Sequence, residues 1–286
     1  MIDYSRHAGL IDHEVMARAT LAGIGAGGAA SLYRNLARAG IGGLVLVDYD
    51  HVSNTNPTTQ AYGLHQCGQS KVEALAADIH RINPKCMVQV CIEKVEALPH
   101  AARQMVLNSN LILAMTDDFK AQVYLNHLAC KNSVDTIFAA AYPGAVAVEI
   151  TGSFTQTIKA GKGCHRCHTF SRYQAQARNY QKPCAQPSHI FQAEYLNALL
   201  GNLVISHLHV RANSSLGNAE LARRFAENPL IISRLNPAFE AQPGAAFDSL
   251  PEALSTFPTI HWPRELPPGF KCADCGASPD ITPDFV

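Results

Sequence analysis

The stretch ATLAGIGAGGAAS at residues 19–31, followed by LVLVDYD at residues 44–50, decides the fold of this chain. Residues 19–25 and 44–48 are short apolar runs bounded by Gly and Asp, a pattern typical of buried parallel strands. Between them, Leu32, Leu36 and Ala39 recur at helical spacing. The order of strand, glycine turn, helix and strand predicts a βαβ unit of the Rossmann type.

The glycine turn predicts a phosphate-binding loop. Gly23-x-Gly25-x-x-Gly28 fits the dinucleotide-binding fingerprint, and Asp48 lies where an acid would bind ribose hydroxyls. Glycines allow backbone N–H groups to approach a phosphate closely. No Gly-Lys-Ser/Thr follows the turn, which excludes a Walker A loop. These residues alone are also consistent with an ordinary NAD-binding domain.

Three polar residues beyond the second strand favour a triphosphate over a dinucleotide. Asn56, Gln60 and Lys71 follow at the carboxyl edge of the sheet, where open α/β folds bind their ligands. Lys71 opens a predicted helix, so its ammonium group can reach phosphates near that helix N-terminus. The predicted nucleotide-binding residues are Gly25, Gly27, Gly28, Asp48, Asp50, Asn56, Gln60 and Lys71.

An acid ends the third apolar run, LILAM at residues 111–115. Asp117 is predicted to hold Mg²⁺ or to orient a triphosphate. The alternative is a helix cap, because an acid often caps a helix at such a position.

The rest of the pattern predicts an α/β fold, a doubly wound Rossmann-like, mostly parallel sheet with antiparallel edge strands and a C-terminal region held by zinc. Further strands are predicted at 87–91, 136–141 and 146–150, and helices at 28–39, 69–82, 99–108, 119–131 and 191–210. A Pro143-Gly144 turn indicates a hairpin between the last two strands.

The second half of the chain has a different character. We predict an ATP-binding core at residues 1–160, followed by a zinc-knuckle and crossover region at 161–286, packed on the same domain. Residues 164–190 are expected to be irregular, and 213–268 to be an insertion with many prolines and no clear periodicity. The predicted helix 191–210 carries Phe191, Tyr195, Leu199, Leu203 and His207 on one face.

Two Cys-x-x-Cys pairs are the strongest isolated signal. Cys164, Cys167, Cys272 and Cys275 supply four thiolates, which is the closed tetrahedral shell of a structural zinc site. Four sulfur ligands leave no open coordination position, so the predicted metal has an architectural role. The alternative is two unrelated pairs of thiols.

Composition narrows the expected environment and partners. Nine cysteines, an odd number, in a chain without an export signal predict the reducing cytoplasm. A formal net charge of zero gives no sign of a nucleic-acid-binding surface. No apolar run reaches the roughly 18–20 residues that a membrane span needs. We therefore expect neither nucleic acid nor a membrane as partner.

A set of motifs resembles the ThiF/MoeB family, bacterial relatives of the ubiquitin-activating enzymes. Residues 4–150 resemble the family well, and 164–210 with 272–275 more loosely. The motifs, in order, are Tyr4-Ser5-Arg6, Gly25-x-Gly27-Gly28, Asp48-x-Asp50-x-Val52, Asn56, Gln60, Gly68-Gln69-Ser70-Lys71, Asn83-Pro84, Thr116-Asp117-Asp118-Phe119 and the two cysteine pairs.

The resemblance implies an adenylyltransferase that uses ATP and Mg²⁺. The expected substrate is the C-terminal glycine of a ubiquitin-like or sulfur-carrier protein, and the expected assembly is a homodimer. Lys71 and Asp117 match catalytic positions, and Arg6 matches an arginine that reaches the partner subunit's ATP. Cys184 lies near a family cysteine that forms a thioester with the carrier protein. A spare core cysteine is the alternative there.

Two departures from the family pattern concern positive charge. Thr59 stands where the family carries a phosphate-binding arginine, and Gln122 stands where an arginine follows the third-strand acid. Either another cation, such as Arg6, Arg81 or one from 213–268, takes over, or activity is low. A weak or non-catalytic subunit that binds ATP and a ubiquitin-like protein is therefore an alternative, and an NAD-type oxidoreductase is a less favoured one.

Overall fold

The computed structural model describes residues 2–142, 147–178, 180, 187–234, 259–261 and 269–277. The helices are α1 (His13–Arg18), α2 (Ala30–Arg38), α3 (Lys71–Ile82), α4 (His100–Leu107), α5 (Phe119–Asn132), α6 (Thr155–Lys159), α7 (His165–His168), α8 (Phe170–Arg178), α9 (Ile190–Arg211) and α10 (Ala219–Glu227). The strands are β1 (Thr20–Ile24), β2 (Gly43–Val47), β3 (Met87–Cys91), β4 (Leu111–Ala114), β5 (Thr136–Ala141), β6 (Ala147–Ser153), β7 (Leu230–Arg234) and β8 (Thr259–His261).

The chain divides into two compact units. The first comprises residues 1–115 and 188–224, and the second comprises residues 116–187 and 225–286. The predicted division into an ATP-binding core at residues 1–160 and a zinc-knuckle region at 161–286 is a division by function, and it stays a prediction.

The first unit contains four parallel strands in the order β3-β2-β1-β4. Strand β1 lies between β2 and β4, with Leu21 opposite both Leu44 and Leu111. Strands β2 and β4 are buried along their whole length because apolar residues fill both faces, as expected for parallel strands. Strand β3 lies at the edge and leaves Met87 73% exposed.

Helices α2 and α3 are amphipathic, and each buries one apolar face. Leu32 and Leu36 are buried on α2, and Val72, Leu75 and Ile79 are buried on α3. Helix α9 also packs against α2 in this unit. These contacts form a hydrophobic core around the predicted βαβ unit.

The second unit contains four antiparallel strands in the order β5-β6-β7-β8. Every residue of β6 is buried, and the strand pairs with β5 on one side and with β7 on the other. The predicted α/β class, with parallel strands followed by antiparallel ones, is confirmed. The predicted turn at Pro143-Gly144 lies outside the described residues.

Three sequence-based expectations need correction. Residues 165–178 form helices α7 and α8, where an irregular stretch was expected. Helix α10 and strands β7 and β8 lie within 213–268, so the antiparallel part extends beyond one hairpin. The cause is that a two-stranded hairpin gains stability from further strands that bury its apolar residues.

The buried face of α9 agrees with the predicted one only in part, because Leu203 and His207 are buried and the two aromatic residues are not. Phe191 is 76% exposed and Tyr195 is 38% exposed, whereas the fully or nearly buried residues on the helix include Leu196, Leu200, Leu203, Val204 and Leu208. Both sets have helical spacing and share Leu203, and the buried face is centred on the aliphatic residues. None of the helices within the described residues combines the length and apolar content that crossing a membrane requires.

Candidate functional site

The glycine turn lies between β1 and α2 and has a backbone that only glycine adopts easily. Gly25 has φ +96°, and its N–H donates to the Val47 carbonyl at 2.9 Å. A Cβ on Gly23 would lie 2.5 Å from the Tyr33 ring, whose hydroxyl donates to the Gly25 carbonyl at 3.0 Å. Hydrogen bonds from Gly25 to β2 and from Tyr33 to Gly25 therefore hold the turn in place.

Three amide groups in this turn remain available as donors. Within the described residues, the N–H groups of Gly27, Gly28 and Ala29 donate no hydrogen bond to protein. They precede the first turn of α2, where backbone N–H groups have no partner inside the helix. Consecutive free N–H groups at a helix N-terminus are suited to an anion such as phosphate.

Asp48 fixes the turn from the end of β2. Its Oδ2 accepts the N–H of Ala26 at 2.7 Å, and its Oδ1 accepts the N–H of Asp50 at 2.9 Å. Both carboxylate oxygens thus orient backbone around the turn. Binding of ribose hydroxyls by Asp48 stays a prediction.

Lys71 is a buried cation that Tyr62 connects to the glycine turn. It is the first residue of α3, its side chain is only 8% exposed, and its Nζ lies 3.0 Å from Asp50 Oδ2. The Tyr62 hydroxyl lies 2.6 Å from the carbonyl oxygen of Ala26 and 3.2 Å from that of Lys71. Burial raises the pKa of Tyr62, so its hydroxyl keeps the proton that it donates. Tyr62 therefore ties the glycine turn to the start of α3.

The loop before α3 places two further predicted residues. Asn56 is buried, and its Oδ1 accepts the N–H of Ser53 at 2.8 Å. Gln60 packs over Gly27, since a Cβ on that glycine would lie 3.2 Å from Gln60 Nε2. The buried Gln60 Oε1 and Ser70 Oγ have no hydrogen-bond partner among the described residues. Polar groups without a partner among the described residues, together with a buried lysine, are suited to binding the phosphates of a nucleotide.

Asp117 and Asp118 follow β4, lie in the second unit and have different environments. Asp118 caps α5, because its Oδ1 accepts the N–H of Lys120 at 2.9 Å. Asp117 is exposed. The cap that was considered for Asp117 is thus supplied by Asp118, and Asp117 remains a candidate ligand for a cation.

An arginine from α8 reaches the position of Gln122 on α5. Arg172 Nη1 donates to Gln122 Oε1 at 3.0 Å, and Gln122 Nε2 donates to the Thr116 carbonyl at 2.6 Å. Arg172 Nη2 also lies 2.9 Å from Oε1 of the buried Glu149. A guanidinium group is therefore present beside the glutamine, although it comes from another helix.

The four predicted metal ligands come together in the second unit. Their Sγ atoms lie within 4.8 Å of one another. The separations are 4.0 Å for Cys164 and Cys167, 3.6 Å for Cys164 and Cys272, and 3.9 Å for Cys167 and Cys275. Zinc with Zn–S bonds of about 2.3 Å places tetrahedral sulfurs about 3.8 Å apart. The cluster therefore fits zinc and can hold a metal of this type.

A second layer of polar groups holds this cluster in place. Asn126 of α5 is fully buried, and its Nδ2 donates to Cys164 Sγ at 3.3 Å and to Asp274 Oδ2 at 2.8 Å. Its Oδ1 accepts from Ser153 Oγ at 2.8 Å. Asp274 lies between the last two cysteines and is also 3.4 Å from Arg166 Nη1. One asparagine therefore connects the first cysteine pair, the second pair and β6.

Comparison with known proteins decides the family. Residues 8–238 match the ThiF family. The chain belongs to the ThiF family. The predicted resemblance is thus confirmed over most of the sequence.

Relatives of this ThiF-family chain include ubiquitin-like modifier-activating enzymes. Ubiquitin-like modifier-activating enzyme 5 from Caenorhabditis briggsae and from Gallus gallus are each 30% identical over 167 residues, or 54% of this chain. The matches cover 38% and 41% of those relatives. The chain therefore spans about two fifths of the length of these curated relatives.

Solved structures share the fold at low identity. E. coli MccB with ATP has a TM-score of 0.61 and 16% identity, covering 78% of this chain and 62% of that one. PaaA has a TM-score of 0.60 and 18% identity, covering 80% of this chain and 73% of that one.

The other predicted site residues of this ThiF-family chain are less defined. Arg6 lies in a short 3₁₀ helix, Ser5–His7, and is exposed. Tyr4 directly precedes this 3₁₀ helix and stacks on His13 with ring centroids 4.0 Å apart, which anchors the N-terminal segment. Cys184 lies outside the described residues, so its role stays a prediction.

Sequence reasoning missed three polar residues at these sites. Asn126 and Arg172 are described above, and Asn197 of α9 donates from Nδ2 to the Gly28 carbonyl at 2.7 Å. Asn126 and Asn197 are polar residues within helical patterns, which is the only signal that marks them, and Arg172 lies in a helix without an apolar period. Their partners are distant in sequence, so no local motif contains them.

Proposed function

We propose that this chain adenylates a C-terminal carboxylate of a small protein or peptide with ATP. The observation that carries the proposal is the buried Lys71 at the start of α3, which Tyr62 connects to a glycine turn with three amides that donate no hydrogen bond in the described part of the chain. The comparisons support the same class, because relatives are named ubiquitin-like modifier-activating enzymes and MccB is described with ATP and with MccA.

The proposed reaction needs little from acid–base chemistry. The attacking carboxylate is ionised near neutral pH, so no general base has to remove a proton. A carboxylate oxygen forms a bond to the α-phosphorus, the bond to the bridging oxygen breaks, and pyrophosphate leaves with the electron pair. The protein must therefore align the reactants and neutralise charge on the phosphates.

The described residues fit these tasks. The amides of Gly27, Gly28 and Ala29 would bind phosphate oxygens, and Lys71 would exchange its contact with Asp50 for a contact with the phosphates. Asp48, Asn56 and Gln60 would hold the nucleoside and the surrounding loop. Mg²⁺ on ATP would supply further charge neutralisation, and Asp117 is the residue that we propose to hold it.

The finer parts of the function are also proposals. We infer that the substrate is a ubiquitin-like or sulfur-carrier protein ending in glycine, and that the enzyme is a homodimer in which Arg6 contacts the partner's ATP.

Cys184 is proposed to attack the acyl adenylate, which forms a thioester and releases AMP. A Cys184→Ser variant should keep pyrophosphate exchange and lose a reducible adduct with the carrier protein; an undiminished adduct would exclude Cys184.

The test of adenylation is exchange of labelled pyrophosphate into ATP in the presence of the carrier protein. Lys71→Ala should lower exchange by about 10²-fold or more, because a charge that stabilises the transition state is lost. Lys85→Ala is the matched control, since Lys85 is exposed beyond the far end of α3. Equal exchange by the wild type and by Lys71→Ala would contradict the assignment.

A second candidate function is a subunit that binds nucleotide and carrier protein without efficient catalysis. Thr59 supplies no charge, and two arginines near α3 are already engaged by Asp78. Arg34 Nε donates to Asp78 Oδ2 at 3.0 Å, and Arg81 forms an ion pair with the same carboxylate. Tight binding of the carrier protein without exchange would favour this candidate.

A further inference from the structure

We propose that Asn197 is a positioning residue for the phosphate-binding turn, acting from α9 on the peptide between Gly28 and Ala29. The proposal deepens the proposed function and rests on it, since it concerns how the same turn would bind ATP. It assigns a role to a side chain separated from the turn by 169 residues of sequence.

Asn197 is well placed to hold the turn. The residue is only 4% exposed, and its Nδ2 lies 2.7 Å from the Gly28 carbonyl oxygen and 3.0 Å from Ser31 Oγ. The same helix approaches the turn closely at Ala193, whose Cβ would lie 3.8 Å from a Cβ built on Gly28. Helix α9 therefore packs directly on the glycine turn.

The hydrogen bond from Asn197 fixes the direction of a phosphate donor. In a planar trans peptide, the carbonyl of one residue and the N–H of the next point in opposite directions. Because the Gly28 carbonyl points toward Asn197, the Ala29 N–H points away from that side chain. This N–H is one of the three amides that donate no hydrogen bond within the described residues.

Glycine makes such a restraint necessary. Gly27 and Gly28 precede this peptide, and glycine has more accessible backbone conformations than other residues. Without the bond to Asn197, the peptide between Gly28 and Ala29 can rotate, and the N–H samples directions in which it cannot meet a phosphate. Binding then has to restore one orientation, which weakens affinity.

The side-chain oxygen of Asn197 indicates that asparagine does not give the most stable fold at this position. Its Oδ1 is buried and has no hydrogen-bond partner among the described residues. A buried acceptor without a partner is unfavourable for folding, whereas a leucine of similar size carries no such group. An Asn197→Leu variant loses the bonds to Gly28 and Ser31 and also loses the unpaired acceptor, so its stability should stay close to that of the wild type while the restraint on the turn is absent.

The test compares nucleotide binding and stability in full-length variants. The probe is a fluorescent ATP analogue with Mg²⁺, titrated into the wild type, Asn197→Leu and Asn197→Asp, of which the aspartate keeps the shape but cannot donate. Both should bind about tenfold more weakly, because binding then has to restore one orientation of this peptide; a tenfold change corresponds to about 1.4 kcal/mol. Asn202→Leu is the matched control on the same helix, because Asn202 is exposed and donates to the Ala198 carbonyl.

A second measurement separates positioning from a structural role. Amide hydrogen exchange at residues 27–29, without nucleotide, should be faster in both Asn197 variants and unchanged in Asn202→Leu. Unchanged affinity in Asn197→Leu, or a lower melting temperature with wild-type affinity, would overturn the proposal. If the wild type itself bound no ATP analogue, the proposed function would fail, and unchanged exchange at 27–29 would show separately that the positioning role is wrong.

Discussion

Glu149 is a buried carboxylate whose two oxygens have different partners. The Tyr142 hydroxyl donates to Oε2 at 2.7 Å, and Arg172 Nη2 lies 2.9 Å from Oε1. Burial also lowers the pKa of His165, helped by the nearby Arg172, so this imidazole is neutral. Its Nε2 can then accept from Arg172, which lies 3.4 Å away. The guanidinium group thus balances one buried charge and links three elements of the second unit.

Removal of Arg172 should destabilise the protein strongly. Arg172→Ala leaves Glu149 buried without its counter-charge, which we expect to lower the free energy of unfolding by about 3 kcal/mol. Urea denaturation of the wild type and the variant measures the difference. Adding Glu149→Gln should recover part of the loss, because the unpaired charge is removed. Arg223→Ala, which breaks an ion pair between the exposed side chains of Arg223 and Glu220, should change stability far less. Equal losses for both arginines would contradict this account.

At the scale of elements, an ion pair joins α2 and α3. Arg34 of α2 contacts Asp78 of α3, and Gln66 Nε2 donates to Asp78 Oδ2 at 3.0 Å. Burial raises the pKa of Asp78, but the hydrogen bonds from Gln66 and Arg34 and the charge of Arg34 outweigh burial. The pKa therefore lies below the ordinary 3.8.

This ion pair predicts a defined dependence of stability on pH. A carboxyl group with a lowered pKa in the folded state stabilises the fold above pH about 4, and this contribution is lost as the pH falls below its unfolded-state pKa. Asp78→Asn should therefore lower the melting temperature by a few degrees at pH 6, and the difference from the wild type should shrink below pH 4. A difference that is constant from pH 6 to pH 3 would show that charge is not the cause.

Local patterns predicted most elements but few of the contacts between them. Strand β3 begins and ends at the predicted residues, because alternation and turn signals act within a few positions. Helix α8 was missed because Gln, Arg and Ala residues carry no apolar period there. The contact between Asn197 and Gly28 depends on how α9 packs after a long intervening chain, and no pattern near either residue contains that information.

At the scale of the whole molecule, the cysteine cluster can be tested by metal content. The purified protein should contain one zinc per chain, and Cys272→Ser should lose it because three thiolates bind far more weakly than four. Protease cleavage near residues 269–277 should then become faster, because the metal no longer joins this segment to Cys164 and Cys167. Cys67→Ser is the control, because Cys67 lies outside the cluster. Full zinc occupancy in Cys272→Ser would exclude the assigned ligand set.

The spacing of the cysteine pairs also matters for the unfolded chain. An ion held by Cys164 and Cys272 joins residues that are 108 positions apart. A covalent link that closes a loop of this length lowers the entropy of the unfolded chain by an amount equivalent to about 4–5 kcal/mol. The penalty for closing such a loop grows only with the logarithm of its length, by about 0.6 kcal/mol for each doubling. Insertions between β7 and β8 should therefore change the stability of the metal-bound protein very little, which leaves this part of the chain open to changes in length.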